Sequence, residues 1–289
     1  MNIPADHATL RRRDVQRRFD RAARHFDAAD FVHAVTRDGL LERLAPMLVD
    51  AKTVVDLGCG TGSACGALAR RFRRSRIIGI DVSENMLLEL ARKRSWRAKT
   101  APIQADASAL PLADGSVDVV FSNLLLPWIG DPATVFREAA RVLREGGLML
   151  FSTLGPDSLL GLRRAWQSVD TSAHVNRFLD MHDIGDAAVR AGLRDPVLDV
   201  DRLAVTYANC EALFRDLTAT GARNSLRQRR RSLLGKNEFA TMTDALDAQG
   251  SDGVIHVDLE LVYGHCWGSG VTAGGGDYRI DAAQIGRRR

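Results

Sequence analysis

Three glycines at alternate positions, Gly58, Gly60 and Gly62, follow an aspartate, Asp56, in the run Val54-Val55-Asp56-Leu57-Gly58-Cys59-Gly60-Thr61-Gly62. Glycine reaches backbone angles closed to other residues and lets the main chain come against a ligand. The spacing is neither the Gly-x-Gly-x-x-Gly of dinucleotide turns nor the Gly-x-x-x-x-Gly-Lys of phosphate loops. No lysine stands ready for a phosphate, and the acidic residue suits a cationic ligand better than a pyrophosphate. By itself such a turn also serves as an ordinary strand-to-helix connection.

Two more acids and an amide fall at comparable places downstream. Asp81 ends the apolar run Ile77–Ile80, 19 residues after Gly62. A carboxylate there can accept both hydroxyls of a ribose. It can also cap the following helix, a role that Ser83 is able to fill instead. Asp106 precedes Ala107; its carboxylate could take an exocyclic amine while the Ala107 amide meets a ring nitrogen. Ser122-Asn123 ends another apolar run, just before Leu124-Leu125-Leu126-Pro127-Trp128. Taken singly, Asp106 is a solvated turn residue and Trp128 helix packing. Taken together, these groups cap successive strands, where the ligand crevice of an open α/β sheet must lie.

The elements that would position them alternate in type. The sequence predicts strands over 53–57, 76–81, 102–106, 117–123 and 148–153, with helices over 65–73, 84–96 and 133–144 between them. Such alternation implies a parallel sheet with helices on both faces. Gly146-Gly147 would close the last of these helices. Further on, helices are expected over 159–168, 181–191, 210–220 and 236–248, and strands over 197–207 and 257–267. Ahead of the sheet, residues 1 to about 13 look unstructured and 14–48 carry helical periodicity. The expected division is a helical arm or lid over 1–49, a main domain over 50–268 with helical insertions near 155–192 and 207–250, and a disordered tail over 269–289.

Composition bounds the class. The chain has 289 residues, 45% hydrophobic and 26% charged, as in a water-soluble globular protein. No apolar run is long enough to span a bilayer. The four cysteines, Cys59, Cys65, Cys210 and Cys266, form no Cys-x-x-Cys pair, so neither a metal site nor a redox pair is expected, and a reducing cytosol is the simplest location. The formal net charge of +4 comes almost wholly from arginine, which suits either an acidic partner or an arginine-biased genome.

Asp56–Gly62, Gly79–Leu87, Asp106-Ala107 with Leu110-Pro111, and Phe121-Ser122-Asn123 together resemble the class I S-adenosylmethionine-dependent methyltransferases, over about residues 50–153. Three flanking pieces narrow the resemblance: Val15–Ala23, His174–Asp180, and Tyr207 through Asp216-Leu217 with Gly221-Ala222. They resemble the malonyl-acyl-carrier-protein O-methyltransferases of the biotin pathway, over nearly all of 12–268. The resemblance implies a Rossmann-like sheet of seven strands, mostly parallel, with the seventh, near 257–267, antiparallel. It implies S-adenosylmethionine as cofactor, with Asp56 near its amino group, Gly58, Gly60 and Gly62 against its methionine part, Asp81 on the ribose, Asp106 and Ala107 on the adenine, and Asn123 at the crevice.

On the substrate side it implies a malonyl carboxylate, already ionised at pH 7, so that no general base is required. Arg177, with His174 beside it, is the candidate to recognise that carboxylate, since a guanidinium meets a carboxylate with two parallel bonds. As plain structure, Arg177 would be one half of an ion pair. Phe19, Phe26 and Trp128 are candidates to face the substrate. Phe26 and Pro127 depart from the family, which often has Tyr and Gln there. The expected partner is an acidic acyl carrier protein, docking on the basic run 223–231 or leaving that run as a solvated loop; no nucleic acid or membrane is expected. Methylation of a small aromatic or quinone stays open, as does a cofactor-binding assembly factor akin to the arginine hydroxylase that helps build respiratory complex I.

Overall fold

The computed structural model describes residues 10–93, 100–230, 235–250 and 253–270. Seven strands form one sheet, in the order β3 (Thr100–Gln104), β2 (Arg76–Asp81), β1 (Thr53–Leu57), β4 (Val117–Asn123), β5 (Leu143–Leu154), β7 (Ile255–Gly268), β6 (Leu193–Tyr207). The first five are mutually parallel; β7 runs antiparallel to both β5 and β6. The chain winds outward from β1 to β3, then returns to lay β4 on the other side of β1. That reversal opens a crevice at the carboxyl ends of β1 and β4.

The central strands are apolar on both faces because both faces are covered. Val54, Leu148 and Leu150 pack on one side with α3 (Phe31–Leu44), α4 (Ser63–Arg71), α7 (Leu160–Gln167) and α10 (Lys236–Asp247). Val55, Val120, Met149 and Phe151 pack on the other with α6 (Pro132–Val142) and α8 (Met181–Arg190). The remaining helices are α1 (Arg12–Ala22), α2 (Phe26–Ala29), α5 (Glu84–Lys93) and α9 (Cys210–Ala219). All four cysteines are buried and free.

Three local expectations change. Strand β3 stops at Gln104, so Asp106 stands in a turn beyond the strand, bridged to Ala109. Helix α6 stops at Val142, because Leu143 turns extended (ψ 132°) to pair with Val117. Gly146-Gly147 therefore do not cap a helix. They lie where β5 shifts register against β4, with Gly146 at φ +67°. The predicted helical stretch 14–48 is three helices, and it starts earlier: Leu10 bridges Leu226 and α1 begins at Arg12. The expected Trp96 end of α5, Arg231 of the basic run, residues 1–9 and most of the expected tail (271–289) lie outside the described residues.

The N-terminal helices are fastened to the crevice. Asp20 on α1 accepts from Ser83 Oγ at 2.6 Å, and Asn85 Nδ2 donates to its backbone carbonyl at 3.0 Å. Asp27 on α2 accepts from Thr61 Oγ1 of the glycine turn at 2.5 Å. On α3, Arg43 reaches Asp199 and Asp201 of β6, at 2.6 and 3.1 Å, and lies 3.8 Å over the Tyr263 ring. Leu40 and Leu44 of the same helix are buried with Val54 in the main core.

Candidate active site

Backbone geometry builds the first half of the site. Gly58, Gly60 and Gly62 have φ of +75°, +52° and +83°, angles that favour glycine, and each for its own reason. A Cβ on Gly62 would strike Leu90, and one on Gly58 would press on Leu125; one on Gly60 would meet nothing within 4 Å. Gly60 is therefore glycine toward an open cleft of about 300 Å³, which Gly58, Asp81, Asp106, Ala107 and Asn123 also line.

Asp81 receives Gly60 N on Oδ2 at 2.9 Å and Ser83 N on Oδ1 at 2.8 Å. Burial pushes its pKa up, and these amides oppose the shift. Two amides thus fix the carboxylate at the cleft wall. Asp106 is committed on both oxygens: Oδ1 accepts from Ser108 N and Oγ, at 2.9 and 2.7 Å, and Oδ2 faces Arg12 Nη1 at 2.8 Å. Asn123 ties the sheet to α3, donating to the His33 carbonyl at 3.0 Å and accepting from Ser152 Oγ at 2.7 Å.

Asp56 lies under the turn and not on the cleft wall. It is 1% exposed, paired in β1 with Gly79 and Phe121, and accepts from Cys65 Sγ at 3.1 Å. Burial pushes its pKa up to about 7, the nearby Asp81 adds to the rise, and the Cys65 thiol opposes it.

A second cavity of about 450 Å³ adjoins the first. Its walls are mainly apolar and come from distant parts of the chain, among them Val32, Leu162, Trp166, Phe214, Leu217 and Leu259. Three residues line both cavities: His33, Leu124 and Trp128. Leu124, just past β4, holds φ +53°, and Ser152 secures it, its carbonyl and Oγ both accepting from Leu124 N. A non-glycine residue at that angle costs on the order of 1 kcal/mol, a strain placed where the cavities meet. Trp128 meets Phe19 edge to face, with ring centroids 5.2 Å apart; Phe19 and Phe26 face the first cavity and not the second.

His174 lines the second cavity, stacked 3.9 Å from Trp166, with Nε2 2.8 Å from Asp170. Arg177 does not join it: the side chain is exposed and lines neither cavity. Its neighbour Asn176, donating to the Pro127 carbonyl at 3.3 Å, turns inward and leaves the guanidinium in water. The cations that do reach the cavity are Arg18, Arg223, Arg229 and Arg230. Arg18 donates to the Asn224 carbonyl at 2.7 Å, and burial, then Arg229 and Arg223, push its pKa down. His33 was not legible as a site residue, because no local motif surrounds it; Arg18 stands inside the Val15–Ala23 piece of the resemblance, and nothing there sets it apart from its neighbouring arginines. Phe26 of α2 and His33 of α3 meet across the break between the two helices, with ring centroids 4.9 Å apart.

The first cleft fits a sulfonium nucleoside on its own residues. A glycine with open space above it and a carboxylate held by two amides, able to meet a ribose, both line it. The Asp106 carboxylate would have to share Arg12 with an adenine amine. Among the described residues, no group of three or more His, Cys, Asp or Glu could hold a metal ion, and no helix is long and apolar enough to cross a membrane.

Residues 55–151 match the methyltransferase domain family model. The chain is 40% identical over 292 residues to the malonyl-[acyl-carrier protein] O-methyltransferase of Halorhodospira halophila, covering 99% of each. It is 40% identical over 271 residues to the enzyme of that name from Methylovorus, covering 92% of each. Among solved structures, the YcgJ protein of Bacillus subtilis superposes with a TM-score of 0.58 at 16% identity, covering 80% of this chain and 97% of that one, a likeness of fold.

Proposed function

We propose, because the chain belongs to the malonyl-[acyl-carrier protein] O-methyltransferase family, that it methylates the free carboxylate of a malonyl thioester carried on an acyl carrier protein, in the cytosol and toward biotin (pimeloyl) synthesis. The enzyme is an S-adenosylmethionine-dependent O-methyltransferase. The observation that carries the substrate reading is the meeting of the glycine cleft with an apolar second cavity at His33, Leu124 and Trp128. A donor and an acyl acceptor entering from opposite sides would come together only there.

When bound, S-adenosylmethionine supplies an electrophilic methyl carbon whose bond to sulfur breaks, the electron pair staying on sulfur, as a carboxylate oxygen takes the methyl. Asp81 would hold the ribose and Gly60 would let the methionine part lie on the backbone. A malonyl carboxylate is ionised at pH 7, so no side chain has to remove a proton. The work left to the protein is alignment and exclusion of water. Trp128 walls the junction, backed by Phe19 on the side of the first cavity, and the apolar lining of the second cavity would receive the acyl arm. Arg223, exposed and lining this cavity, would offer positive charge to an acidic carrier protein.

Incubation with malonyl carrier protein and methyl-labelled cofactor tests this. Label is expected in a base-labile ester on the carrier. Cofactor binding without transfer to any malonyl thioester would overturn it. Rescue of a biotin auxotroph by the gene is the matching result in cells.

A further inference from the structure

The reacting carboxylate has to stop where the two cavities meet, and among the described residues no charged side chain lines both of them. Of the three residues that do, Leu124 is apolar and Trp128 packs its ring against Phe19. The third is His33. Its Nδ1 is enclosed and has no hydrogen-bond partner among the described residues. A buried polar atom without a partner costs free energy, so its retention asks for a reason. Everything else about His33 is fixed. Its carbonyl accepts from Asn123 Nδ2 and from Thr36 Oγ1, at 3.0 and 3.1 Å. Its ring stands edge-on to Phe26, and Arg43 anchors its helix to β6. The scaffold holds the ring and leaves Nδ1 uncommitted.

Charge decides what such a ring is suited to do. Burial pushes the His33 pKa down to about 4, and Arg37 one turn along adds to the effect, so the imidazole is neutral at pH 7. It then offers one N–H donor and one lone pair. During transfer the carboxylate loses its negative charge as it becomes an ester. A cation on that carboxylate would stabilise the starting state more than the transition state and slow the step. A neutral donor orients the group with less of that penalty.

We propose that His33 is a catalytic residue that orients the methyl-accepting carboxylate by donating a hydrogen bond to it at the junction of the two cavities. This rests on the malonyl reading above. It also assigns the exposed Arg177 no part at the reacting centre.

The test is steady-state kinetics with malonyl carrier protein, alongside calorimetric titration of S-adenosylhomocysteine to report an intact cofactor cleft. His33→Leu fills the space without a donor; kcat/KM should fall roughly 10- to 100-fold, the size expected for a hydrogen bond to a charged group. His33→Gln restores a neutral N–H and should recover most of that loss. His33→Lys places a cation there, and should lower KM and kcat together. Cofactor affinity should change far less than kcat/KM in all three, because the backbone bond from Asn123 to the His33 carbonyl is kept whatever the side chain. His33→Leu with wild-type kinetics, or His33→Lys with a raised kcat, would overturn the assignment while the malonyl reading stands. A wild-type protein that methylates no malonyl thioester would remove both.

Discussion

The two halves of the site are made in different ways. The proposed cofactor cleft is built from one repeated pattern: β1, β2, β3 and β4 each end at it, and glycine angles, backbone amides and Asp81 would do the holding. The second cavity is assembled from pieces as far apart as Arg18 and Leu259, and its lining is a matter of shape. A site set by strand ends is fixed by topology, because the switch point exists wherever the sheet reverses. A site set by inserted helices can change with each insertion. One half can therefore be common to many reactions while the other carries the substrate.

This difference can be attacked from both sides. The largest expected effect lies beneath the cleft. The Asp56 pKa of about 7 is above the ordinary carboxylate value near 3.8, so the folded chain holds a proton that the unfolded chain releases. Stability contributed by this group therefore falls as pH rises from about 4 to about 7 and is fully lost above that. Asp56→Asn removes the titration. At pH 8 the variant should be more stable than the wild type, by an amount on the order of a few kcal/mol, and the two should converge toward pH 4. Urea unfolding across that range measures it; parallel pH profiles would show that the buried acid is already relieved.

Asp81→Ala comes next and acts on the cleft wall itself. It removes the acceptor of two amides, which is also the group proposed to meet the ribose. Loss of hydrogen bonds to a charged group predicts cofactor affinity weaker by roughly 100-fold in a calorimetric titration. A change under about threefold would mean that the cleft holds its ligand by backbone alone.

The second cavity should answer separately. Leu217→Trp adds bulk to the apolar wall without touching the cleft. The KM for the malonyl carrier should rise about tenfold, with a stability cost of about 1–3 kcal/mol for the overpacking. Cofactor affinity should not move. If it falls in step with KM, the cavities are one compartment and the contrast between them fails.

The same contrast sets what the sequence could reveal. Gly58, Asp81, Asp106 and Asn123 could be placed without coordinates because each caps or follows an apolar run, and runs at that spacing have few ways to form a sheet. Even Asp106, displaced one turn by the early end of β3, still lines the cleft. Arg177 shows the limit. Its motif could be recognised, but whether its side chain turns in or out depends on long-range anchors, the bond from Asn176 to the Pro127 carbonyl 49 residues earlier and the one from Arg163 to the Asn176 carbonyl. His33 and Arg18 were hidden for a related reason: their roles come from what α1 and α3 lie against, which helical periodicity does not specify.

Arg12 joins α1, in the arm proposed as a lid, to the cleft, and it gives the smallest expected effect. Its guanidinium meets Asp106 at 2.8 Å, yet its side chain is 65% exposed. An ion pair in that setting is worth about 0–1 kcal/mol, because water and salt screen it and a long side chain must be held still. Arg12→Ala should therefore leave the unfolding midpoint nearly unchanged. Its effect should appear in binding. Asp106 keeps both bonds from Ser108 on Oδ1, so the carboxylate stays aimed while Oδ2 is released for an amine. Cofactor affinity should hold or tighten, by no more than about fivefold, the equivalent of the one kilocalorie the pair can supply. Weaker binding would give the arginine a different task. It would mean that α1 must be latched for the cleft to close, and that the lid belongs with the cofactor half of the site and not with the substrate half.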